Sequence, residues 1–224
     1  MRWLISLHRL ALSHLFYPCL AATILAVGLL VGRNLFGARG YGFLIWNLFL
    51  AWLPYLAAIW VAQTALLGRA GRILALPVAL LWLLFLPNAP YLVTDLIHLP
   101  GMRFVWWYDA GTMFAFILAG CLLGVCSLQL MSTTARRLYG PLIGWLVLIG
   151  ASLLSGVGVY LGRFLRWNSW DALLRPGTLL RELLTLLTDP ATYPRLIGVS
   201  GMIAAFMLVL YLSLHAARSQ GELG

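Results

Sequence analysis

The sequence predicts an all-α membrane protein. The expected architecture is a six-helix transmembrane bundle with a kinked or broken third helix and an interfacial amphipathic helix between helices five and six. Of the 224 residues, 62% are hydrophobic and only 9% are charged, whereas about a quarter of a soluble domain is charged. Six apolar runs approach or exceed the length of about 20 residues that a bilayer-spanning helix needs. None alternates as membrane β-strands do, and helices pair their own backbone groups inside hydrocarbon.

The six runs predict a single polytopic transmembrane domain over residues 1–224. The expected spans are residues 15–32, 41–67, 73–99, 110–131, 141–161 and 196–214. Arginines, prolines or glycines bound each run. The stretch TLLRELLTLLT, residues 178–188, is amphipathic but too short to cross the bilayer. We expect it to lie in the interface plane as an anchor or a lid.

The formal net charge is +9, and all fifteen basic residues are arginines. Such a charge can indicate nucleic-acid binding, but these arginines lie between apolar runs, so we expect the lipid bilayer as partner and no nucleic acid. The fifteen arginines, all outside the six spans, divide by side of the membrane into seven and eight. Five of the eight lie in the connection after span five, where three acids partly offset them. Without that connection the excess of arginine places both termini in the cytoplasm.

Two prolines interrupt the third span in LPNAPYLVTDLIHLP, residues 86–100. Pro87 and Pro90 cannot both lie inside one regular helix, because each removes a donor and clashes with the carbonyl one turn earlier. We expect Asn88 to cap a new helical segment that has Pro90 in its first turn. The apolar run before the break covers about 21 Å, so the break lies within the membrane.

A polar stripe follows this break. It consists of four residues: Asn88, Tyr91, Asp95 and His98. The last three follow Asn88 by three, seven and ten positions, so all four share one face of an α-helix. Because ionisable groups are costly in a bilayer, we expect the stripe to face the bundle interior or a water-filled cleft and to be functional. The alternative is that Asn88 only caps a helix, while Asp95 and His98 reach the headgroups.

A second polar cluster, GRFLRWNSWD at residues 162–171, follows span five. Two crossings separate it from the end of span three, so both clusters and the start of span four, with Asp109 as expected cap, share one side of the membrane. This side forms a predicted rim of nine candidate ligand-binding residues: Asn88, Tyr91, Asp95, His98, Asp109, Arg163, Arg166, Asn168 and Asp171. Arg163 and Arg166 could hold a phosphate together, or they could pair with Asp95 and Asp109.

Small residues mark span five as a helix that neighbours approach closely. Three small-xxx-small pairs occur, at positions 140/144, 152/156 and 158/162, so we expect this span at the centre of the bundle. Span two contributes one intramembrane amide, Asn47, and a kink at Pro54. The three cysteines, Cys19, Cys121 and Cys126, fall within spans and are expected to be packing residues. We predict no metal site and no cofactor, since no HExxH pair is present.

Three segments together resemble a bacterial integral-membrane family known as a domain of unknown function, DUF1361. They are FLPNAPYLVTDLIHL (85–99), GRFLRWNSWD (162–171) and NLFLAWLPY (47–55). The resemblance extends from about span one to span six. It implies a small multi-pass protein of the bacterial inner (plasma) membrane, and it brings no established activity, substrate or cofactor.

Three functions remain open. The leading hypothesis is that the non-cytoplasmic rim binds, and helps to translocate, an anionic amphiphile such as a lipid or polyprenyl phosphate. Arg163, Arg166 and the backbone donors of a helix starting at 88–90 would hold the anion. A membrane-embedded hydrolase or transferase, with or without a metal, would use Asp95 and His98 as its central groups. The third alternative is a non-catalytic scaffold subunit. We favour a non-enzymatic function.

Overall fold

The computed structural model describes residues 15–37, 40–101 and 105–221. Helices make up 88% of these described residues, and no strand occurs among them. In chain order the helices are α1 (Phe16–Leu35), α2 (Gly42–Thr64), α3 (Arg69–Phe85), α4 (Asn88–Tyr91), α5 (Trp106–Tyr139), α6 (Pro141–Phe164), α7 (Asp171–Leu174), α8 (Pro176–Thr188) and α9 (Tyr193–Gly221). A 3₁₀ segment, Leu92–Gly101, follows α4.

Six of the described helical stretches are long and apolar enough to cross a membrane. They are Phe16–Leu35, Gly42–Thr64, Arg69–His98, Trp106–Tyr139, Pro141–Phe164 and Tyr193–Ala217. Each predicted span corresponds to one of them. The ends differ by at most four residues, except that the fourth helix continues eight residues beyond the predicted end at residue 131. The all-α six-helix prediction is therefore confirmed, and the chain is a multi-pass membrane protein. Arg2, Arg9, Arg39 and Arg103, which enter the charge count, lie outside the described residues.

The third span is bent rather than sharply broken. Its helical axis bends by 17°, and the backbone passes from α3 through α4 into the 3₁₀ segment. Because Pro87 and Pro90 have no N–H, carbonyls one turn earlier lose their usual donors. The Leu86 carbonyl, which lacks a donor at position 90, accepts from the Ala89 N–H at 3.1 Å instead. The Phe85 carbonyl, which this shift leaves free, accepts from Asn88 Nδ2 at 2.8 Å.

The expected capping by Asn88 is wrong. Asn88 is the first residue of α4, and no side chain caps that helix. The backbone N–H groups of Ala89 and Tyr91 donate to the carbonyls of Leu86 (3.1 Å) and Pro87 (3.0 Å). The bend therefore leaves neither of these donors free for an anion, and the hypothesis that this helix start binds one loses its support.

The centre of the bundle is α5, not α6. In α5, 67% of the most apolar stretch of the helix is buried inside the protein, whereas the same share in α6 is 39%. The prediction that span five, which is α6, lies at the centre of the bundle is therefore wrong. The reason is that α5 also carries small residues where a neighbour crosses. A Cβ at Gly120 would lie 2.7 Å from the Ala89 carbonyl oxygen, and one at Gly124 would lie 2.9 Å from Ala89 Cβ.

Close approach along α6 is nevertheless observed at several of the predicted glycines. A Cβ at Gly156 would overlap the Ser200 backbone of α9, and one at Gly158 would overlap the ring of Pro87. A Cβ at Gly162 would lie 3.1 Å from the Tyr91 ring. These contacts bring the end of α6 against the bend of the third span, which positions the two polar clusters beside each other.

The cysteines are packing residues, as predicted. All three are buried free thiols, and Cys19 of α1 lies with its Sγ 4.0 Å from that of Cys126 of α5.

Candidate functional site

A buried ion pair joins the two polar clusters. Arg163, in the last turn of α6, places Nη2 2.5 Å from Oδ1 of Asp95 in the 3₁₀ segment. The Asn47 amide of α2 donates to the second Asp95 oxygen at 3.0 Å. Arg163 also donates to Thr94 Oγ1 at 2.8 Å from Nε, and its Cζ lies 4.4 Å from the centre of the Tyr91 ring. Both charges are thus paired and hydrogen-bonded, as burial requires.

A second buried ion pair closes the other side of the same end of the bundle. Arg33, near the end of α1, places Nε 2.6 Å from Oδ1 of Asp109, and both side chains are almost fully buried. The Arg33 guanidinium stacks on the Tyr41 ring at 4.3 Å. Burial raises the pKa of the Tyr41 hydroxyl, the Asp109 charge adds to the shift and Arg33 opposes it, so the hydroxyl stays protonated at neutral pH.

These pairs decide between the alternatives left open for the arginines. Asp95 pairs with Arg163, as one alternative proposed, whereas Asp109 pairs with Arg33 rather than with Arg163 or Arg166. The expected capping by Asp109 is also wrong, because α5 begins at Trp106 and Val105 occupies its N-cap position. Asp109 instead lies in the first turn of α5, where a carboxylate interacts favourably with the helix dipole.

The groups proposed for catalysis do not converge. Asp95 has both oxygens engaged by Arg163 and Asn47. The exposed His98 ring lies against Phe43 instead, with 5.1 Å between ring centres. Among the described residues, no group of three or more His, Cys, Asp or Glu side chains could hold a metal ion.

A cleft of about 570 Å³ opens beside the Asp95–Arg163 pair, between α2, α3, α6 and the segment that follows α6. One part of its wall is apolar and includes Leu80, Leu83, Leu84, Leu154, Val157 and Leu161. The other part is polar and aromatic and includes Asn88, Tyr91, Arg166, Asn168, Ser169 and Trp170. The cleft therefore combines an apolar wall with a polar and aromatic one.

Arg166 is the one charged side chain among the described residues that line this cleft. It is exposed and forms no ion pair with another described residue. Its backbone has φ = 59°, and the next N–H, of Trp167, donates back to the Leu161 carbonyl at 3.2 Å. This left-handed position after a helix usually holds glycine, and a side chain there costs about 1–2 kcal/mol.

The rest of the 162–171 segment is held by side-chain hydrogen bonds. Asp171 Oδ2 accepts from the backbone N–H and the side-chain amide of Asn168, at 2.9 and 3.1 Å. Asn88 Nδ2 donates to Ser169 Oγ at 3.0 Å. Because Ser169 accepts this bond, its own hydroxyl hydrogen remains available to another acceptor.

The predicted amphipathic helix is α8, and it covers one side of the cleft. Leu179 and Leu183 of α8 line the cleft, while Leu180 and Leu184 are exposed on another side of the helix. The Trp167 indole donates to Glu182 Oε2 at 2.5 Å. This bond links α8 to the segment that carries Arg166.

The structure brings the nine predicted rim residues to one end of the bundle but not to one site. Four line the cleft: Asn88, Tyr91, Arg166 and Asn168. Asp95 and Arg163 form the buried pair beside it, Asp109 belongs to the second pair, His98 contacts Phe43, and Asp171 supports Asn168.

Sequence reasoning missed several residues of this end. It left Asn47 without a partner and assigned no hydrogen-bonding role to Thr94, Ser169 or Trp167. The signal for Asn47 was available, because a buried amide in a span must find a polar partner. For Thr94 there was none, since a threonine can satisfy its hydroxyl within its own helix, as Thr94 also does toward the Tyr91 carbonyl at 2.6 Å.

No curated protein and no solved structure matches the chain. The model of the family described as "Protein of unknown function (DUF1361)" matches residues 46–211, well over half of the 224 residues. This range contains the segments 47–55, 85–99 and 162–171 on which the resemblance rests. It also contains every described residue that lines the cleft. The chain therefore belongs to the DUF1361 family.

Proposed function

We propose that the protein binds an anionic amphiphile, such as a lipid or polyprenyl phosphate, in this cleft. The observation that carries the proposal is the continuity between an unpaired arginine and a leucine-lined groove in one cavity of about 570 Å³. Small-molecule sites combine a mostly apolar wall with a few convergent polar groups in this way.

The polar end supports an anionic headgroup. Arg163 is neutralised by Asp95, so Arg166 supplies the positive charge, and the Ser169 hydroxyl is the second donor. Hydrogen bonds to charged groups contribute about 1.5–3 kcal/mol each. A guanidinium also presents its donors in a planar fork that matches phosphate oxygens.

The apolar end supports a hydrocarbon chain. Leu80 and Leu154 line the cleft and are more than half exposed on the outside of the helices, so the groove opens sideways toward the position of the bilayer. From Gly162 to Leu154 the groove follows α6 for about 12 Å. This is close to the thickness of one leaflet, half of the roughly 30 Å hydrocarbon core. A lipid of one leaflet can enter without leaving the membrane.

The proposal includes the membrane leaflet in which the cleft lies. The arginine distribution favours both termini in the cytoplasm, so the proposed position of the cleft is the outer leaflet of a bacterial inner membrane. The groove reaches only about one leaflet deep, so binding is the step that it supports, and translocation would need a further opening along the bundle.

Native mass spectrometry of the purified protein tests the proposal. Arg166→Gly removes the charge without a backbone penalty, and Arg181→Gln removes an exposed arginine of α8 that does not line the cleft. We expect wild type and Arg181→Gln to retain bound anionic lipid and Arg166→Gly to lose about tenfold or more of it. If all three carry the same lipids, the proposal is wrong and the scaffold alternative is preferred.

No observation favours the enzyme hypothesis over lipid binding. Its two central groups, Asp95 and His98, have separate partners.

A further inference from the structure

The charges around the cleft narrow the class of ligand. We infer that the cleft selects a lipid whose headgroup carries one negative charge, a phosphodiester, over phosphomonoesters and diphosphates. This inference rests on the proposed function, and it excludes polyprenyl phosphate as the preferred ligand.

The first step is the number of available cations. Among the described residues that line the cleft, Arg166 alone is charged. Arg163 and Arg33 are each paired with a buried carboxylate. Arg195 stacks on the Phe164 ring at 4.3 Å, and Arg175 does not line the cleft either. One guanidinium can neutralise one negative charge.

The second step is the position of the nearby acids. Asp171 accepts hydrogen bonds from Asn168, and Glu182 accepts one from the Trp167 indole, while Asn168 and Trp167 both line the cleft. Neither acid has an arginine partner among the described ion pairs. Both carboxylates therefore lie directly behind the wall of the polar end and would repel a second negative charge on the ligand.

The third step is the supply of neutral donors. Asn88 uses both of its amide hydrogens, toward Phe85 and Ser169. The amide of Asn47 donates to Asp95 and that of Asn168 to Asp171. The neutral donors that remain, such as the Ser169 hydroxyl, add hydrogen bonds but no positive charge. A phosphomonoester carries about −1.5 to −2 at pH 7, so it would leave uncompensated charge that a phosphodiester does not have.

Binding of matched lipids to the full-length protein in neutral detergent tests the inference. The probes are phosphatidylglycerol, phosphatidic acid and phosphatidylcholine with identical short acyl chains, titrated at pH 7.5 and followed by native mass spectrometry. We expect phosphatidylglycerol to bind about fivefold or more tightly than phosphatidic acid, which corresponds to roughly 1 kcal/mol of charge repulsion. Phosphatidylcholine, which has no net charge, is expected to bind most weakly.

Two variants separate charge selection from general damage. Asp171→Asn removes one of the acids behind the wall but keeps an acceptor for Asn168. We therefore expect the preference for phosphatidylglycerol over phosphatidic acid to become smaller. Asp189→Asn is the matched control, because Asp189 bonds to Ala191 and Thr192 beyond the end of α8, and it should leave the preference unchanged.

The outcomes distinguish the inference from the proposed function. If phosphatidic acid binds as tightly as phosphatidylglycerol or more tightly, and this binding needs Arg166, the inference is wrong although an anionic amphiphile is bound. Equal changes in Asp171→Asn and Asp189→Asn would also contradict it. If all three lipids bind equally in wild type and in Arg166→Gly, the proposed function itself is wrong.

Discussion

At the scale of the residue, Arg166 combines a costly backbone conformation with an unpaired charge. An L-residue in the left-handed region costs about 1–2 kcal/mol, and glycine would remove this cost but loses about 0.5–1 kcal/mol through its greater freedom in the unfolded chain. Residues held in such conformations cluster at functional sites. The backbone conformation at position 166 therefore does not favour arginine, and we infer that the side chain of Arg166 is the reason for its presence there.

This reasoning gives an expected stability for two variants of Arg166. The free energy of unfolding of Arg166→Gly should equal that of wild type or exceed it by up to about 1 kcal/mol. Its unfolding temperature should therefore be the same or higher. Arg166→Ala keeps a Cβ in the left-handed region and should not be stabilised. Thermal unfolding in detergent measures both, and a clear loss of stability in Arg166→Gly would show that the guanidinium supports the fold.

The Asp95–Arg163 pair is expected to behave in the opposite way. Arg163→Ala leaves the carboxylate of Asp95, which is 1% exposed, without its cation, and this should cost about 3–5 kcal/mol. Replacing both residues, Asp95→Leu with Arg163→Met, should recover a large part of that loss, because no buried charge remains. Thermal unfolding of the two singles and the double variant measures the coupling. Strictly additive losses would contradict a direct pair.

How far residues could be assigned from the sequence depends on their chemistry. Asp95 was identified because burying an ionisable side chain in a span is costly. Arg163 and Asp109 were identified because the number of crossings puts them on the same side of the membrane as Asp95. Their partners depend on how each helix is rotated, which no local pattern records. Asp109 therefore meets Arg33, 76 positions away, instead of the arginines after span five.

At the scale of the element, length and hydropathy were sufficient to place six helices, since only a helix satisfies its own backbone in a bilayer. Which helix lies at the centre of the bundle was not predictable in the same way. Small residues permit close approach on any helix, and both α5 and α6 carry them, so the glycines of α6 did not identify the central helix. The 3₁₀ segment after α4 was also missed, although the prolines predicted the bend.

Two glycines of α6 form a matched pair for testing this packing. A Cβ at Gly156 would lie 2.8 Å from Ser200 Cα, whereas one at Gly150 would have no atom within 4 Å. We expect Gly156→Ala to lose about 1–3 kcal/mol because the backbone of α9 must move. Gly150→Ala should gain up to about 1 kcal/mol from helix propensity. Equal effects on thermal unfolding would refute the close contact between α6 and α9.

The attachment of α8 is a second property of an element. Trp167→Phe removes the indole donor to Glu182 but keeps an aromatic side chain at the cleft. A hydrogen bond of about 1 kcal/mol corresponds to roughly fivefold more frequent opening, so amide exchange across residues 176–188 should accelerate by about this factor. Trp170→Phe is the control, because no hydrogen bond from its indole to a described residue is observed. The same exchange rate in both variants would show that the bond does not hold α8.

At the scale of the whole molecule, one end of the bundle is held together by its two buried ion pairs. Arg33–Asp109 joins α1 to α5, and Asp95–Arg163 joins the 3₁₀ segment to α6. Between them, Tyr41, the residue before α2, contacts Arg33 of one pair, and Asn47 in the second turn of α2 contacts Asp95 of the other. The walls of the cleft on the side of α2 and α6 are therefore linked by buried polar contacts, whereas α8 is joined to the segment after α6 through the Trp167–Glu182 hydrogen bond.

The arrangement requires His98 and Asn168 to lie on the same side of the membrane, opposite Arg137 near the far end of α5. All three side chains are exposed, so each can be replaced by a reactive cysteine. The background for this experiment is a variant in which the buried cysteines are replaced by alanine: Cys19, Cys121 and Cys126.

In intact bacterial cells, a membrane-impermeant maleimide should label His98→Cys and Asn168→Cys, and it should label Arg137→Cys only after permeabilisation. This pattern follows from two crossings between the first two positions and from the proposed cytoplasmic termini. If instead Arg137→Cys is labelled in intact cells, and His98→Cys and Asn168→Cys only after permeabilisation, the orientation is the opposite of the proposed one. The cleft then lies in the inner leaflet, with the same walls. Labelling of positions 98 and 168 from opposite compartments would separate the 3₁₀ segment from the end of α6, and a cleft between them could not exist.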